Sequence, residues 1–354
     1  MATIFTKTTE LSVAFGLLDI DPLKSTYNAI ADRVDKLNQD TYDAVITELS
    51  NSEKAKIYEK LRTVGNDIRM KRFDGKPIFK VEWMGLSKQR KTVAVSKDLY
   101  VKDHNLFISV KTDSNVVFNL SPYNLLQALP TGSPTAIKEI NWFLHTAHEK
   151  YDELYQFVRS RFKGASALPL TISEFDKSAG KTTKKEVQKW LDNLNSGQKS
   201  DFEGLYVAMC YTVAEKSSHL FMENRRNVKR SQLNSANELI LKTFLRLNSA
   251  PYLLAGLEGG NPFAVDIPDV TKWFEQWMFT DIKAKADPDR KQCVVNFVLK
   301  LTNKENNKVV ELPYHAEIRW SHGKFCGNPE GKLYKDFKWV DVPLLLSLRK
   351  KAAL

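Results

Sequence analysis

The sequence predicts an α+β fold, close to α/β, with a central mixed β-sheet flanked by helices. Three observations predict it: an opening stretch with helical spacing, a switch to short alternating runs after Pro77, and a return of strands after about Gln292. Residues 1 to about 72 read as helical, with Tyr42, Val45, Ile46, Ile57 and Leu61 at helical spacing and a break at Gly65-Asn66. From Pro77 to Val117, runs such as Ile78-Phe79-Lys80-Val81-Glu82-Trp83 and Thr92-Val93-Ala94-Val95 read as strands of an antiparallel sheet. The segment Pro130-Thr-Gly-Ser-Pro134 punctuates the chain. A long helix follows, its narrow seam of Ile137, Ile140, Leu144, Ala147, Tyr151, Leu154 and Val158 suited to a neighbouring helix or to a dimer partner, with packing inside the chain the preferred reading. Residues 183–247 are again helical; strands are expected at Val294–Leu301 and Val309–Trp320, then a polar, aromatic hairpin region to Trp339. A soft boundary near residue 165 would divide the chain into residues 1–165 and 166–354. No internal repeat is visible.

Composition narrows the partners. The chain carries 53 Lys and Arg against 42 Asp and Glu, a net charge of +11. That excess favours a polyanion, nucleic acid before an anionic membrane. No apolar run reaches the roughly 18 residues of a membrane span, and the N-terminus lacks a signal-peptide pattern. Cys210, Cys293 and Cys326 stand far apart with no CxxC spacing, as expected of reduced thiols in a cytoplasmic protein. The charge is uneven: from Arg69 to Lys97, nine basic residues face two acids.

The segment that follows carries the chemistry. If Asp103-His104 is a two-residue loop, Lys102 pairs with Asn105 and Asp98 falls opposite Ser109. Leu99, Val101, Leu106, Ile108 and Val110 then share one face, which must be buried, while Asp98, Tyr100, Phe107, Ser109 and Lys111 share the other. A slip by one residue would spoil both groupings. Phosphodiester hydrolysis needs such a set: a carboxylate for a divalent metal that activates water, and a lysine to orient that water and stabilise charge on the phosphorane. An ordinary exposed hairpin is the alternative reading of the same residues.

Lys97-Asp98-Leu99 followed by Ile108-Ser109-Val110-Lys111 resembles the catalytic hairpin of the PD-(D/E)xK nucleases, type II restriction endonucleases in particular, in a variant that reads S-V-K. Ser114 to Pro122 is also similar to restriction-enzyme sequence. The resemblance covers roughly residues 60–125 and, more faintly, the last fifty. It implies a nuclease core in residues 1–165 and site-specific cleavage of double-stranded DNA with Mg²⁺ by a homodimer. Asp98 would hold metal, Lys111 would position water, and Ser109 would stand in the usual second acidic place. Lys97 replaces the usual proline. The serine leaves a carboxylate to be found, and the place expected from the family, fourteen to sixteen residues beyond the lysine, offers only Gln127 nearby. Asp67 is the preferred substitute as metal ligand, with Glu82, Asp113 and Glu139 as further candidates. A binding protein without catalysis, and a repair, transposition or RNA nuclease, remain open.

A reader of DNA is expected in the second half. His315 to Lys332 runs from alternating residues into a Gly-rich loop, and Arg319, Ser321, His322, Lys324 and Asn328 suit base and phosphate contacts. Packing of Trp320 and Phe325 beneath a plain surface hairpin is the other reading. Arg225, Arg226, Lys229 and Arg230 suit sequence-blind phosphate contacts, with a plain solvated helix face as the favoured reading of the same residues. Ser178-Ala-Gly180-Lys181-Thr182-Thr183 is similar to the end of a phosphate-binding loop, but position 175 is Phe where a glycine is required, so no nucleotide cofactor is expected. His145 and His148 have no third ligand placed by motif, so a zinc site is not expected.

Overall fold

A computed structural model describes residues 3–51, 53–85, 97–132, 140–164 and 167–342. Its helices are α1 (Ile4–Leu18), α2 (Tyr27–Ala31), α3 (Gln39–Leu49), α4 (Ala55–Arg72), α5 (Leu129–Thr131), α6 (Trp142–Arg161), α7 (Ile172–Ser178), α8 (Lys181–Asp192), α9 (Ser196–Arg226), α10 (Leu233–Phe244) and α11 (Val270–Gln276). The strands are β1 (Val34–Asp35), β2 (Val81–Trp83), β3 (Leu99–Val101), β4 (Leu106–Thr112), β5 (Val116–Leu120), β6 (Tyr252–Glu258), β7 (Asn261–Ile267), β8 (Trp277–Ala286), β9 (Cys293–Asn303), β10 (Val309–Arg319) and β11 (Glu330–Lys335). The fold is α+β, with helices flanking two sheets. Among the described residues no helix is long and apolar enough to cross a membrane.

The chain forms two units, neither continuous in sequence. Unit 1 is Met1–Ser114, Leu245–Trp277 and Phe337–Leu354; unit 2 is Asn115–Phe244 and Met278–Asp336. The boundary expected at residues 165 and 166 lies outside the described residues, and the chain instead passes from unit 1 to unit 2 at Ser114/Asn115 and returns at Leu245.

Unit 1 is built on a mixed sheet in the order β1-β2-β3-β4-β6-β7. β2, β3 and β4 form an antiparallel meander, while β1 joins β2 and β6 joins β4 in parallel. The hairpin register is the expected one: Leu99 pairs with Ile108 and Val101 with Leu106. Lys102–His104 makes the turn, and Asn105 closes it in the left-handed region at φ 47°. The five aliphatic residues of one face are all buried in the unit's core. At roughly 1.5–3 kcal/mol per buried aliphatic side chain, that face holds the register against a slip. The Thr92–Val95 strand and Ile137 lie outside the described residues.

The break expected at Gly65-Asn66 is not found, because α4 runs unbroken through it. Gly65 serves packing instead. A Cβ there would lie 2.1 Å from the Val13 carbonyl oxygen, and one on Gly16 would lie 1.9 Å from that of Arg62. The two glycines let α1 and α4 touch backbone to backbone, and every residue of α1 from Thr8 to Leu18 is buried. Burial on all sides marks a helix in the middle of a core rather than on its surface.

Unit 2 holds a sheet in the order β5-β11-β10-β9-β8, with β5, β11, β10 and β9 successively antiparallel. The seam on α6 packs within the chain, since Ala147, Tyr151, Leu154 and Val158 are buried and α6 lies against α9.

Candidate functional site

On the polar face of the β3–β4 hairpin, Asp98 and Ser109 are closed over by protein, while Tyr100, Phe107 and Lys111 are half-buried. Asp98 is 4% exposed and Ser109 fully buried. The Asp98 carboxylate accepts a hydrogen bond from the Val110 backbone N–H at 2.7 Å and one from the Ser109 hydroxyl at 3.3 Å. Serine in the middle position is therefore a donor to the first acid. Lys111 stands opposite Gly256 of parallel β6, where a Cβ would lie 1.8 Å from the Lys111 carbonyl oxygen. With φ at 144° as well, only glycine lets β6 run this close.

A second buried carboxylate, that of Glu10, belongs to the same surroundings as Asp98. It projects from the buried α1, is itself only 6% exposed, and accepts a hydrogen bond from the Trp83 indole N–H at 2.7 Å. Gly85 leaves room for it, since a Cβ there would stand 2.4 Å from the carboxylate oxygen. Burial, and then the charge of Asp98, push the Glu10 pKa up to about 8 against the pull of the Trp83 hydrogen bond, Lys111 and Lys7. Lys111 keeps part of its surface accessible, yet desolvation of its ammonium pulls its pKa down, with Arg246 acting in the same direction and Asp98 and Glu10 opposing. Glu10, Asp98 and Lys111 thus share one electrostatic environment.

Arg246 adds a second cation to this environment. It is 5% exposed and sits at φ 59°, in the left-handed region. Its Nε donates to the Tyr252 hydroxyl at 3.4 Å, and that hydroxyl donates to the Arg246 carbonyl at 3.1 Å.

The other acids lie elsewhere. Asp67 is on α4, 3.4 Å from Lys71, in a small pocket bordered by Pro262, Phe263 and Ala264 of β7. α4 turns Gly65 towards α1, and it is α1, not α4, that brings a carboxylate to the hairpin. Glu82 pairs with Lys36 at 2.5 Å, and Asp113 accepts from the Gly260 N–H at 2.9 Å. Glu139 lies outside the described residues, and Gln127 belongs to unit 2. Glu10 had one legible signal: it is the single acid in the apolar run that Leu11-Ser-Val-Ala-Phe-Gly-Leu-Leu18 continues, where a charge is costly unless it has a use. Arg246 had none.

The expected reading loop, residues 320–329, rests on aromatic packing. Trp320 packs on Phe143, Tyr151 and Tyr206, and Phe325 on Tyr151 and Phe175. Lys324 lies over the rings of Phe202 and Tyr206, at 4.6 and 5.1 Å from their centroids, and burial pulls its pKa down. Arg319 is 3.3 Å from Glu317, and Asn328 is half-buried. Ser321 and His322 are exposed. In the second basic group, Arg225 is bonded to Asn237 and lies over Phe279, while Arg226, Lys229 and Arg230 are exposed. Lys324 and Arg225 are thus engaged inside unit 2, whereas Ser321, His322, Arg226, Lys229 and Arg230 face solvent.

No protein-family model matches the chain, and neither a curated protein nor a solved structure is similar to it.

Proposed function

We propose that this chain is a Mg²⁺-dependent endonuclease of the PD-(D/E)xK type that cuts double-stranded DNA at specific sites, acting in the cytoplasm as a homodimer. The observation that carries the reading is the convergence of Glu10 and Asp98 beside Lys111. Burial, and then the charge of Asp98, push the Glu10 carboxyl up to about pKa 8, and a divalent cation bound between the two carboxylates would relieve both. Their donors are all oxygen, the set preferred by Mg²⁺. Among the described residues no third His, Cys, Asp or Glu joins them, so water and substrate oxygens would fill the remaining positions. The ion, when bound, polarises the phosphate and lowers the pKa of the attacking water.

The remaining roles belong to the chain. Trp83 holds the Glu10 carboxylate, and the Ser109 hydroxyl and Val110 N–H hold that of Asp98. Lys111, fixed where β4 meets Gly256, orients the water and stabilises charge on the phosphorane. A two-fold dimer would cut both strands of a palindromic site.

The test is incubation of the purified chain with unmethylated plasmid and phage DNA in Mg²⁺ and in EDTA. Discrete Mg²⁺-dependent fragments, absent with Lys111→Ala, are expected. Intact DNA in both tubes, shifted in mobility, would instead leave a DNA-binding protein without catalysis.

A further inference from the structure

Unit 2 carries a charged feature that this chemistry does not use. On α8, Lys181, Lys185 and Lys189 recur every four residues, which places them about 6 Å apart along the axis. All three are exposed, on the side away from the buried Val187 and Leu191. None has an ion-pair partner among the described residues. The fourth lysine, Lys184, is tied down, its ammonium donating to the Asp176 carbonyl at 3.0 Å.

This helix breaks several local rules together. Like charges four residues apart repel along a helix. Lys181 occupies the first turn, where the partial positive charge of the helix end disfavours a cation. No acid stands in that turn and no side chain caps it, although the preceding α7 has a complete capping box through Thr171 and Glu174. Departures of this kind, in three lysines that form no ion pair among the described residues even with Glu186 and Asp192 on the same helix, fit a surface whose counter-charge comes from outside.

The 320–329 loop is seated on the same helix. The Cys326 thiol donates to the Lys184 carbonyl at 3.4 Å, and Gly323, at φ 100°, comes so close to Gln188 that a Cβ would lie 2.7 Å from its side-chain oxygen. The exposed Ser321 and His322 are thereby brought to α8. A membrane surface fits this helix poorly, because an interfacial helix inserts its apolar face, and that of α8 is already buried.

We propose that Lys181, Lys185 and Lys189 form a ridge that follows the phosphate backbone of a DNA duplex. One ammonium per helical turn presents a row of cations to a row of phosphates, contributing affinity without reading sequence. The inference rests on the reading of duplex DNA as substrate. It does not depend on catalysis.

The experiment measures binding of the full chain to a labelled duplex of about 30 base pairs by fluorescence anisotropy, in EDTA and across a salt series. The variant Lys181→Gln/Lys185→Gln/Lys189→Gln keeps helix propensity, since Gln and Lys rank together, and circular dichroism checks its fold. Its affinity should fall about tenfold or more, and the slope of log K against log salt should shrink by roughly 2 to 3, at about 0.9 for each phosphate no longer neutralised. The matching Lys→Arg triple should bind as the wild type does. Lys283→Gln/Lys285→Gln/Lys308→Gln, the same charge change elsewhere in unit 2, should bind within about threefold of the wild type, because charges away from the duplex act only through the screened field. An unchanged slope in the ridge variant, equal losses in both Gln triples, or no binding by the wild type would each overturn the ridge. Binding through the ridge by a chain that cuts no DNA in Mg²⁺ would overturn the nuclease reading and leave the ridge standing.

Discussion

The β3–β4 and β10–β11 hairpins look alike on paper: each alternates apolar and polar residues around a turn rich in hydrogen-bonding groups. In the first, the Asp98–Ser109 part of the polar face is covered. α1 closes over it, so Asp98, Ser109 and Glu10 are buried together and must answer one another's charge. In the second, the loop's aromatic residues turn inward and draw Lys324 with them, while Ser321 and His322 stay in water. Polar residues on a hairpin become a reactive set when a second element desolvates them, because only then do their charges couple strongly. Where they remain solvated, water screens their charges and they act singly.

The comparison can be broken at its strongest point by removing the covering carboxylate. Glu10→Gln keeps an acceptor for Trp83 and should lower Mg²⁺-dependent cleavage by about 10²–10³-fold, on the scale of losing one pre-placed electrostatic group. Asp67→Asn, read in the same plasmid assay, should stay within about twofold, since substitutions away from such features are close to neutral. Equal effects of the two would remove Glu10 from the site.

On the second hairpin, Phe325→Ala should cost about 3–5 kcal/mol in denaturant unfolding, as expected for a buried aromatic. A loss under about 1 kcal/mol would mean that the loop is not anchored through this ring. Gly256→Ala tests the first hairpin from beneath. Its Cβ would collide with the Lys111 carbonyl, so it should destabilise the chain by about 1–3 kcal/mol through backbone strain, and cleavage should fall along with stability.

The last test is a pH dependence. Folded, metal-free Glu10 keeps its proton up to about pH 8, whereas the ordinary value is 4.5. Between those values the folded state binds the extra proton, so this group's stabilisation is present in acid and is lost as pH rises through the window. The melting temperature of the metal-free wild type should therefore fall more steeply from about pH 5 to 8 than that of Glu10→Gln. Parallel curves would show that Glu10 ionises normally.

The hairpin itself was legible because period 2 allows one register that buries Leu99, Val101, Leu106, Ile108 and Val110, and that register places Asp98 opposite Ser109. The strand that supports Lys111 was not. β6, Tyr-Leu-Leu-Ala-Gly-Leu-Glu, is buried on both faces and has no alternation to betray it. Gly65 read as a break because a glycine in a helix is locally unfavourable, and its reason lies in α1, fifty residues earlier in the chain.

By itself, then, the sequence determined the α+β class, the hairpin and its register, and the gathering of Asp98, Ser109 and Lys111 on one face, all of which follow from local periodicity. Tertiary structure alone decided which carboxylate joins them, that β6 passes beneath Lys111, that Arg246 is buried nearby, and that Lys324 turns inward. Those outcomes depend on burial between elements distant in the chain, and burial is what turns a list of charged residues into a coupled site.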